Sequence, residues 1–297
     1  MIIVSGSNIN QNKGWAFRWT PEEDQILKEN YADKTTEELL TMLPKRNAKG
    51  IYSRAHVLGL KYYTYNANYF ETIDTEEKAY WLGFIYTDGY VTTNNRWGIE
   101  LSIDDYEHLE KINQALDSNT SIQVRRRPAK EYNGYAMKEN VNCSIMYRNK
   151  KMYDDLVDKG VIPNKTHSLV FPSQDIVPPH LLRHFIRGLF DGDGSLVFYY
   201  HEVPRKDREG KIYNRLTKEI SFVCKSQPFL DSLHKTIEEE CGAKFRRENN
   251  SRDKLGVLRM SKKDDMKLFL EYLYDGSSVY LDRKYDKAKE ILDYCRA

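Results

Sequence analysis

One device occurs twice in this chain: an apolar run containing a glycine ends at an Asp-Gly pair, and a second apolar segment follows at once. The first copy, residues 81–91, reads WLGFIYTDGYV, and the second, residues 186–198, reads IRGLFDGDGSLVF. The run before each Asp-Gly is typical of a buried helix, and the segment after it is typical of a strand. The repeat predicts two similar halves that each begin with such a helix.

Close packing of the two predicted helices would explain both the glycines and the acids of the two copies. Gly83 and Gly188 carry no side chain, so the two helices could pack closely and bring Asp88 and Asp193 together. Each Asp lies in the last turn of its helix, where the dipole disfavours an anion. Two carboxylates ~4 Å apart would also repel by roughly 4 kcal/mol at an effective dielectric of about 20. Divalent cations would offset both costs and would support metal-assisted phosphodiester hydrolysis. The alternative interpretation is a common Asp-Gly helix cap, which the duplication disfavours.

After its first helix, each half shows strands, a helix, a hairpin and another helix. The predicted elements of the first half are strands at 90–93 and 98–103, a helix at 105–117, and a hairpin of 121–128 with 139–146 that turns near Asn133-Gly134. Those of the second half are strands at 195–202 and 219–225, a helix at 228–241, and a hairpin of 243–248 with 255–260. The three prolines of VFPSQDIVPPHL, between the halves, indicate a semi-rigid connector.

Alternation in the hairpins predicts one apolar and one basic sheet face. In SIQVRRR, Ile122 and Val124 would face the core, and in AKFRRE, Phe245 would do so. The opposite face would carry Gln123, Arg125, Arg127, Lys244 and Arg246. Antiparallel sheets of this kind could form a saddle for a DNA duplex. An ordinary solvated sheet face is the alternative.

The N-terminal segment is expected to form a separate three-helix unit. Thr20, Pro21 and Glu23 form the pattern of a capping box. Helices are predicted at about 21–31, 36–43 and 47–58, with Gly59 as the C′ residue of the third.

The residues from Trp19 to Leu60, WTPEED…L…Y…LP.R….I..RA..LGL, resemble the Myb/SANT-like helix-turn-helix domains. The resemblance implies that the third helix enters the major groove. The candidate DNA contacts are Arg46, Asn47, Lys49, Tyr52, Arg54 and His56. Because related SANT domains bind proteins, a protein-interaction module is the alternative.

The two Asp-Gly segments, WLGFIYTDG at 81–89 and IRGLFDGDG at 186–194, resemble the signature motifs of single-chain LAGLIDADG homing endonucleases. The resemblance spans roughly residues 70–297 and implies a pseudo-symmetric α+β fold, with an αββαββα unit in each half and antiparallel sheets forming a DNA saddle. It implies that Asp88 and Asp193 bind Mg²⁺, with Mn²⁺ as a substitute, together with Gly89 and Gly194. Both DNA strands would be cut across the minor groove, leaving short 3′ overhangs.

The resemblance also implies roles for neighbouring residues. Lys165 and Lys284 match a basic residue beside the metal-bound water, where a lysine could orient water or stabilise phosphate charge; surface lysines are the alternative. Asp191 matches a motif acid that packs or caps, and Tyr86 occupies its place in the first copy. Further residues expected near the site are Asp104, Asp105, Lys225, Ser226 and Gln227.

Composition limits the remaining function classes. The chain of 297 residues is 40% hydrophobic, contains no apolar run of membrane-spanning length, and lacks the basic and apolar regions of a secretory signal, so we expect a cytoplasmic protein that acts at the DNA of its host cell. Cys143, Cys224, Cys241 and Cys295 are not at zinc spacing and should be reduced. The net charge is only +2, but three basic clusters could follow a phosphate backbone: 125–130, 204–211 and 244–254.

We therefore predict a helix-turn-helix domain at 1–62, a linker at 63–78, LAGLIDADG halves at 79–169 and 181–297, and a connector at 170–180. The expected function is that of a monomeric, site-specific double-strand DNA endonuclease of a mobile element, with a long asymmetric target. A catalytically silent transcription regulator and an intron maturase that binds its own intron RNA remain alternatives. An intein is not expected, because Met1 is not a splicing nucleophile and the end, DYCRA, contains no His-Asn.

Overall fold

The computed structural model of the chain describes residues 18–31, 34, 36–60, 65–92, 95–132, 135–163, 165, 168–204, 212–250 and 255–296. The chain divides into two compact units, Met1–Tyr65 and Asn66–Ala297. The predicted turn at Asn133-Gly134 lies outside the described residues. Within the described part of the chain, no helix is both long and apolar enough to cross a membrane.

The N-terminal unit contains the helices α1 (Pro21–Asn30), α2 (Thr36–Met42) and α3 (Ala48–Val57). The predicted capping box is present, because the Glu23 amide donates to Thr20 Oγ1 at 3.2 Å and the Thr20 amide donates to Glu23 Oε2 at 2.9 Å. Gly59 follows α3 with a left-handed φ of +68°, as a C′ residue requires. The helices enclose a small core of Leu27, Tyr31, Leu39, Leu43, Ile51 and Ala55.

The second unit begins its first half with the motif helix. The elements of this half are α4 (Glu76–Thr87), β1 (Gly89–Thr92), β2 (Arg96–Ser102), α5 (Tyr106–Ala115), β3 (Gln123–Arg127), β4 (Lys130–Tyr132), β5 (Tyr135–Met137), β6 (Asn140–Arg148) and α6 (Lys150–Asp158). A 3₁₀ turn, Ile103–Asp105, leads into α5. Strands β1, β2, β6 and β3 form one antiparallel sheet in that order, and β4 pairs with β5 separately.

The second half repeats this order. Its elements are α7 (Leu182–Asp193), β7 (Ser195–Pro204), β8 (Ile212–Cys224), α8 (Gln227–Cys241), β9 (Arg246–Asn250), β10 (Leu255–Met260), α9 (Lys263–Tyr274) and α10 (Asp282–Arg296). The sheet order β7-β8-β10-β9 matches that of the first half strand for strand. The predicted α+β fold with a duplicated αββαββα unit is therefore confirmed, with the β4-β5 ribbon and α10 as additions.

Three details differ from the sequence-based expectations. Strand β8 begins at Ile212, because the polar residues before 219 pair in register with β7 instead of forming a loop. Val124 is 54% exposed, because β3 is the edge strand of its sheet and none of its residues is buried. Part of the predicted 63–78 linker packs into the second unit, where Phe70 and Ile73 are buried.

Helices α4 and α7 pack backbone to backbone at their glycines. A Cβ added to Gly83 would lie 2.1 Å from the carbonyl oxygen of Phe185, and one added to Gly188 would lie 2.0 Å from that of Tyr80. Phe185 and Tyr80 each stand three positions before the glycine of their own helix. The contact is therefore pseudo-symmetric, and it leaves no room for any side chain at either glycine.

We expect Gly188→Ala to lower the free energy of unfolding by about 3 kcal/mol, because the methyl group would push two backbones apart. Gly242→Ala is the control, since Gly242 has a left-handed φ of +73° but no atom within 4 Å of an added Cβ. It should cost only about 1 kcal/mol. Urea unfolding measures both, and equal losses would contradict the close-packing account.

Candidate active site

The two motif carboxylates lie where the paired helices end. Asp193 is the last residue of α7, and Asp88 directly follows α4 as its C-cap. The carboxylate of Asp88 lies against the other helix, because a Cβ added to Gly192 would come within 2.9 Å of Asp88 Oδ2. Strand β1 begins directly after Asp88, and β7 begins two residues after Asp193. Each sheet therefore starts at the carboxylate of its own half.

The glycines after these carboxylates do not form the ordinary left-handed helix cap. Gly194 has φ −70° and ψ 151°, and Gly89 is not among the glycines with positive φ. Both are required by space: an added Cβ would lie 2.1 Å from Phe190 Cδ2 at Gly194 and 2.5 Å from Ile85 Cγ2 at Gly89. Neither α4 nor α7 therefore ends in a left-handed Asp-Gly cap, which was the alternative interpretation of the two motifs.

Lys165 and Lys284 donate hydrogen bonds at equivalent places in the two halves. Lys165 Nζ donates to the carbonyl of Gly89. Lys284 Nζ donates to the carbonyl of Gly194 at 2.5 Å, and also to those of Phe190 at 2.7 Å and Gly192 at 2.9 Å. Lys284 is only 6% exposed and Lys165 is half-buried, so neither lysine is fully exposed. Both amines lie beside the residue that follows a motif Asp.

Burial is the main influence on the charges of this site. It raises the pKa of Asp88 to about 6, with repulsion from Asp193 as the second cause. Burial also raises the pKa of Asp193, against the attraction of the two lysines. It lowers the pKa of Lys284 to about 8, and it lowers that of Lys165. Perturbed acids and bases grouped in this way are typical of functional sites.

The residues present fit a Mg²⁺ ion that is shared with a phosphate. Among the described residues, no group of three or more His, Cys, Asp and Glu side chains forms a complete metal cage. Mg²⁺ usually binds through one or two carboxylates plus substrate phosphates and water, which is what Asp88 and Asp193 could offer. The Gly89 and Gly194 carbonyls, predicted as further ligands, each accept a lysine hydrogen bond and keep one lone pair.

Asp191 packs in the interior, as the resemblance implied. It is fully buried and accepts from Tyr274 Oη at 2.6 Å, Tyr80 Oη at 2.8 Å and the Leu281 amide at 2.8 Å. Its counterpart in the first motif, Tyr86, instead donates to the Lys159 carbonyl. The two positions are equivalent in sequence and have different partners.

The other nominated neighbours have varied contacts. Asp105 pairs with Arg283, Ser226 Oγ donates to the Leu169 carbonyl at 2.6 Å, and Gln227 accepts from Arg247. The Asp104 amide contacts Ser102 Oγ at 3.4 Å, and Lys225 is exposed. None of these contacts reaches Asp88 or Asp193.

Sequence reasoning missed two arginines, one close to the carboxylates and one buried farther back on α7. Arg283 is close enough to Asp88 to lower the pKa of that carboxyl. Arg187 is completely buried, and its Nη2 donates to Glu76 at 2.8 Å. The signal for Arg187 is a charged residue inside an apolar motif helix. The sequence marks Arg283 less clearly, because it is only a basic residue next to another basic residue, Lys284.

The residues predicted to contact DNA through the sheets are exposed, but several have acidic partners. Arg127 is 60% exposed in its side chain and pairs with Glu100 at 2.9 Å. Arg246, with a side chain 79% exposed, pairs with Glu248. Gln123, Arg125 and Lys244 are exposed as well. Exposed pairs of this kind are weak in water, so a phosphate could replace the carboxylate.

In the N-terminal unit, four of the six predicted DNA contacts have a partner within the unit. Arg46 pairs with Glu23 and stacks over Trp19 at 4.4 Å. Arg54 pairs with Asp24. Asn47 caps α3 by accepting from the Gly50 amide at 2.8 Å. Lys49, Tyr52 and His56 are exposed on α3 and are spaced so that they share one face. The Tyr52 hydroxyl is also hydrogen-bonded to Thr36 Oγ1.

Three solved structures illustrate what the fold resembles. Meganuclease I-SmaMI bound to uncleaveable DNA is 11% identical, with a TM-score of 0.46 over 73% of this chain and 88% of that one. The homing endonuclease I-WcaI bound to its DNA recognition sequence is 15% identical, with a TM-score of 0.45 over 69% and 85%. Full-length DUF199/WhiA from Thermatoga maritima is 14% identical, with a TM-score of 0.42 over 77% and 64%.

No family model matches the chain, and the search of curated proteins found no match either. At such low identities and TM-scores, the structural likenesses assign neither a residue nor an activity to this chain.

We expect Asp88→Asn to stabilise the protein at pH 7 in a chelator. Because the folded pKa of about 6 lies above the ordinary 3.8, the folded state holds this proton more tightly, and the stability it contributes is lost as pH rises through that range. The gain should reach up to about 3 kcal/mol at pH 7 and vanish near pH ~4. Urea unfolding at both pH values checks this.

Asp293→Asn, an exposed acid on α10, is the matched control. It should change the free energy of unfolding by less than about 0.5 kcal/mol at either pH, as surface substitutions usually do. A destabilised Asp88→Asn would contradict the electrostatic account of the site.

Proposed function

We propose that this protein is a site-specific double-strand DNA endonuclease of the LAGLIDADG type, in which Asp88 and Asp193 hold divalent metal ions. The observation that supports this most is the pairing of two carboxylates at the ends of α4 and α7, each with a lysine beside the next peptide. Burial and mutual repulsion make this arrangement unfavourable for an isolated fold. A bound cation would remove the penalty.

The chemistry can be assigned to residues of the chain. Mg²⁺, when bound, would polarise the phosphate and lower the pKa of a water ligand. Asp88 and Asp193 would position it between the two halves, one carboxylate from each. Lys165 and Lys284, fixed by carbonyl hydrogen bonds, would orient the attacking water or stabilise charge that develops on the phosphate. Since the halves are in one chain, a monomer would cut both strands.

Binding would come from both units of the chain. The outward sheet faces, with Gln123, Arg125, Arg127, Lys244 and Arg246, would follow a long asymmetric duplex from the cleavage site outward. The N-terminal unit would add contacts through the exposed face of α3, with Lys49, Tyr52 and His56 as the residues that reach DNA. The protein would then act on the DNA of its host cell as part of a mobile element.

The purified protein should cut a randomised or host-genomic DNA pool at discrete sites, leaving short 3′ overhangs, in Mg²⁺ and not in Ca²⁺. Asp193→Asn should slow cutting by at least about 100-fold while leaving binding intact, because a metal ion contributes several kcal/mol at the transition state. Asp293→Asn, an exposed acid on α10, is the control. Sequencing of the ends and a gel-shift assay provide the measurements.

Full cutting by the Asp193→Asn variant would refute the metal-ligand assignment. DNA that is retained by the wild-type protein and never cut would refute the nuclease, and would favour a DNA-binding regulator instead.

For the N-terminal unit, we expect Lys49→Ala to weaken binding to the recovered target and to reduce the salt dependence of binding by about one counterion, since one phosphate contact is lost. Lys28→Ala, an exposed lysine on α1, should leave the slope unchanged. Titrations between low and moderate salt measure the slope. An unchanged slope for Lys49→Ala would remove α3 from the DNA interface.

A further inference from the structure

Residues 278–284 comprise the end of the connection between α9 and α10 and the first turn of α10, and they contact both halves of the second unit. From the first half, Glu76 Oε1 accepts from the Ser278 amide at 2.9 Å, and Lys111 Nζ donates to the Tyr280 carbonyl at 3.0 Å. From the second half, Arg187 Nε donates to the Val279 carbonyl at 2.9 Å. The 278–284 segment is thus fixed by charged side chains from both halves.

This segment sets the position of Lys284. The Leu281 amide donates to Asp191 at 2.8 Å, and the Leu281 carbonyl accepts from the amides of Lys284 and Tyr285, both at 3.0 Å. The first turn of α10 is therefore anchored to a buried carboxylate of α7. Lys284 leaves this turn with a buried side chain and ends at the carbonyls beside Asp193.

A second anchor on the same turn comes from the first half. Arg283 Nε donates to both oxygens of Asp105, at 2.7 and 3.1 Å. The side chain of Asp105 is only 5% exposed, although that of Arg283 is 56% exposed. A buried carboxylate depends strongly on its cation, so this pair should hold its geometry. Asp105 belongs to the turn that leads into α5, far from Lys284 in sequence.

The neighbouring pair on this segment is weaker. Lys111 and Asp282 lie 2.8 Å apart, but their side chains are 31% and 49% exposed, so water screens the interaction. Lys165 and Lys284 both donate to a glycine carbonyl of their own half. The Asp105–Arg283 pair adds a link from the turn that carries Lys284 to the opposite half.

We infer that Asp105 and Arg283 are positioning residues for Lys284, so that their loss slows cleavage of one DNA strand more than the other. The inference rests on the proposed endonuclease function, and it states that Lys284 of that site depends on Asp105 and Arg283 for its position. The strand affected is the one whose phosphate Lys284 serves. The lysine of the first half would continue to serve the other strand.

The test is single-turnover cleavage of the target recovered from the DNA pool, with a different label on each strand. Lys284→Met and Lys165→Met first identify the strand that each lysine serves. Arg283→Gln should then slow the Lys284 strand roughly 10-fold, as loss of an orienting partner does, and leave the other strand within about 2-fold. Nicked DNA should accumulate as a result.

Three further variants separate positioning from general stability. Arg283→Lys, which keeps the cation, should restore most of the rate. The double variant Asp105→Asn/Arg283→Gln leaves no buried charge unpaired and should show the same strand bias as Arg283→Gln. Arg296→Gln is the matched control, because Arg296 pairs with Glu271 at the far end of α10, at 3.1 Å and without reaching the first half.

Equal slowing of both strands by Arg283→Gln, slowing of the strand that Lys165 serves, or the same bias in Arg296→Gln would overturn the inference. A wild-type protein that cuts neither strand would overturn the endonuclease proposal and this inference together. The wild-type result therefore tests the function, and the strand ratio of the variants tests the positioning.

Discussion

The close approach of α4 and α7 is the constraint on which the rest of the second unit depends. Because Gly83 and Gly188 each face a backbone carbonyl of the other helix, the two helices end side by side. The carboxylates at those ends are consequently placed by backbone packing, and they do not depend on flexible side chains for their position. The first strand of each sheet begins beside one of these carboxylates, so the packing of α4 and α7 positions both the sheets and the site.

This placement is electrostatically costly, and the surroundings offset the cost only in part. A buried lysine, Lys284, and a half-buried one, Lys165, lie beside the carboxylates, yet the pKa of Asp88 is still raised to about 6. Such a site suits a ligand that brings more positive charge, and it suits a polyanion only when cations accompany it. The same burial that destabilises the free protein would strengthen its interactions with metal and phosphate, since screening by water is weak there.

Much of this arrangement could be predicted from the sequence, for physical reasons. Both motif helices, the order of elements and the close packing follow from apolar periodicity and from glycine, which are local signals. The errors of the sequence-based prediction also have physical reasons. Val124 is exposed because edge position is a property of the whole sheet, and β8 was predicted too short because pairing with β7 overrides its polar composition.

Contacts between residues distant in the sequence were harder to foresee. Nothing near Arg283 indicates that Asp105 lies beside it, and Arg54 could not be recognised as the partner of Asp24 from helix periodicity alone. The carboxylates could be predicted because a repeated motif marks them, and the lysines because the family resemblance implies their positions. Their supporting residues are marked by no repeat, since the two halves support the site in different ways.

The different partners of Tyr86 and Asp191 have a consequence for the symmetry of this fold. If the first half paired with a copy of itself, Tyr86 would stand where Asp191 now accepts from Tyr80, and no carboxylate would be present to receive that proton. Each half has come to need what the other lacks. The two halves are therefore not interchangeable, and a homodimer built from two first halves would bury the Tyr80 hydroxyl without its carboxylate acceptor.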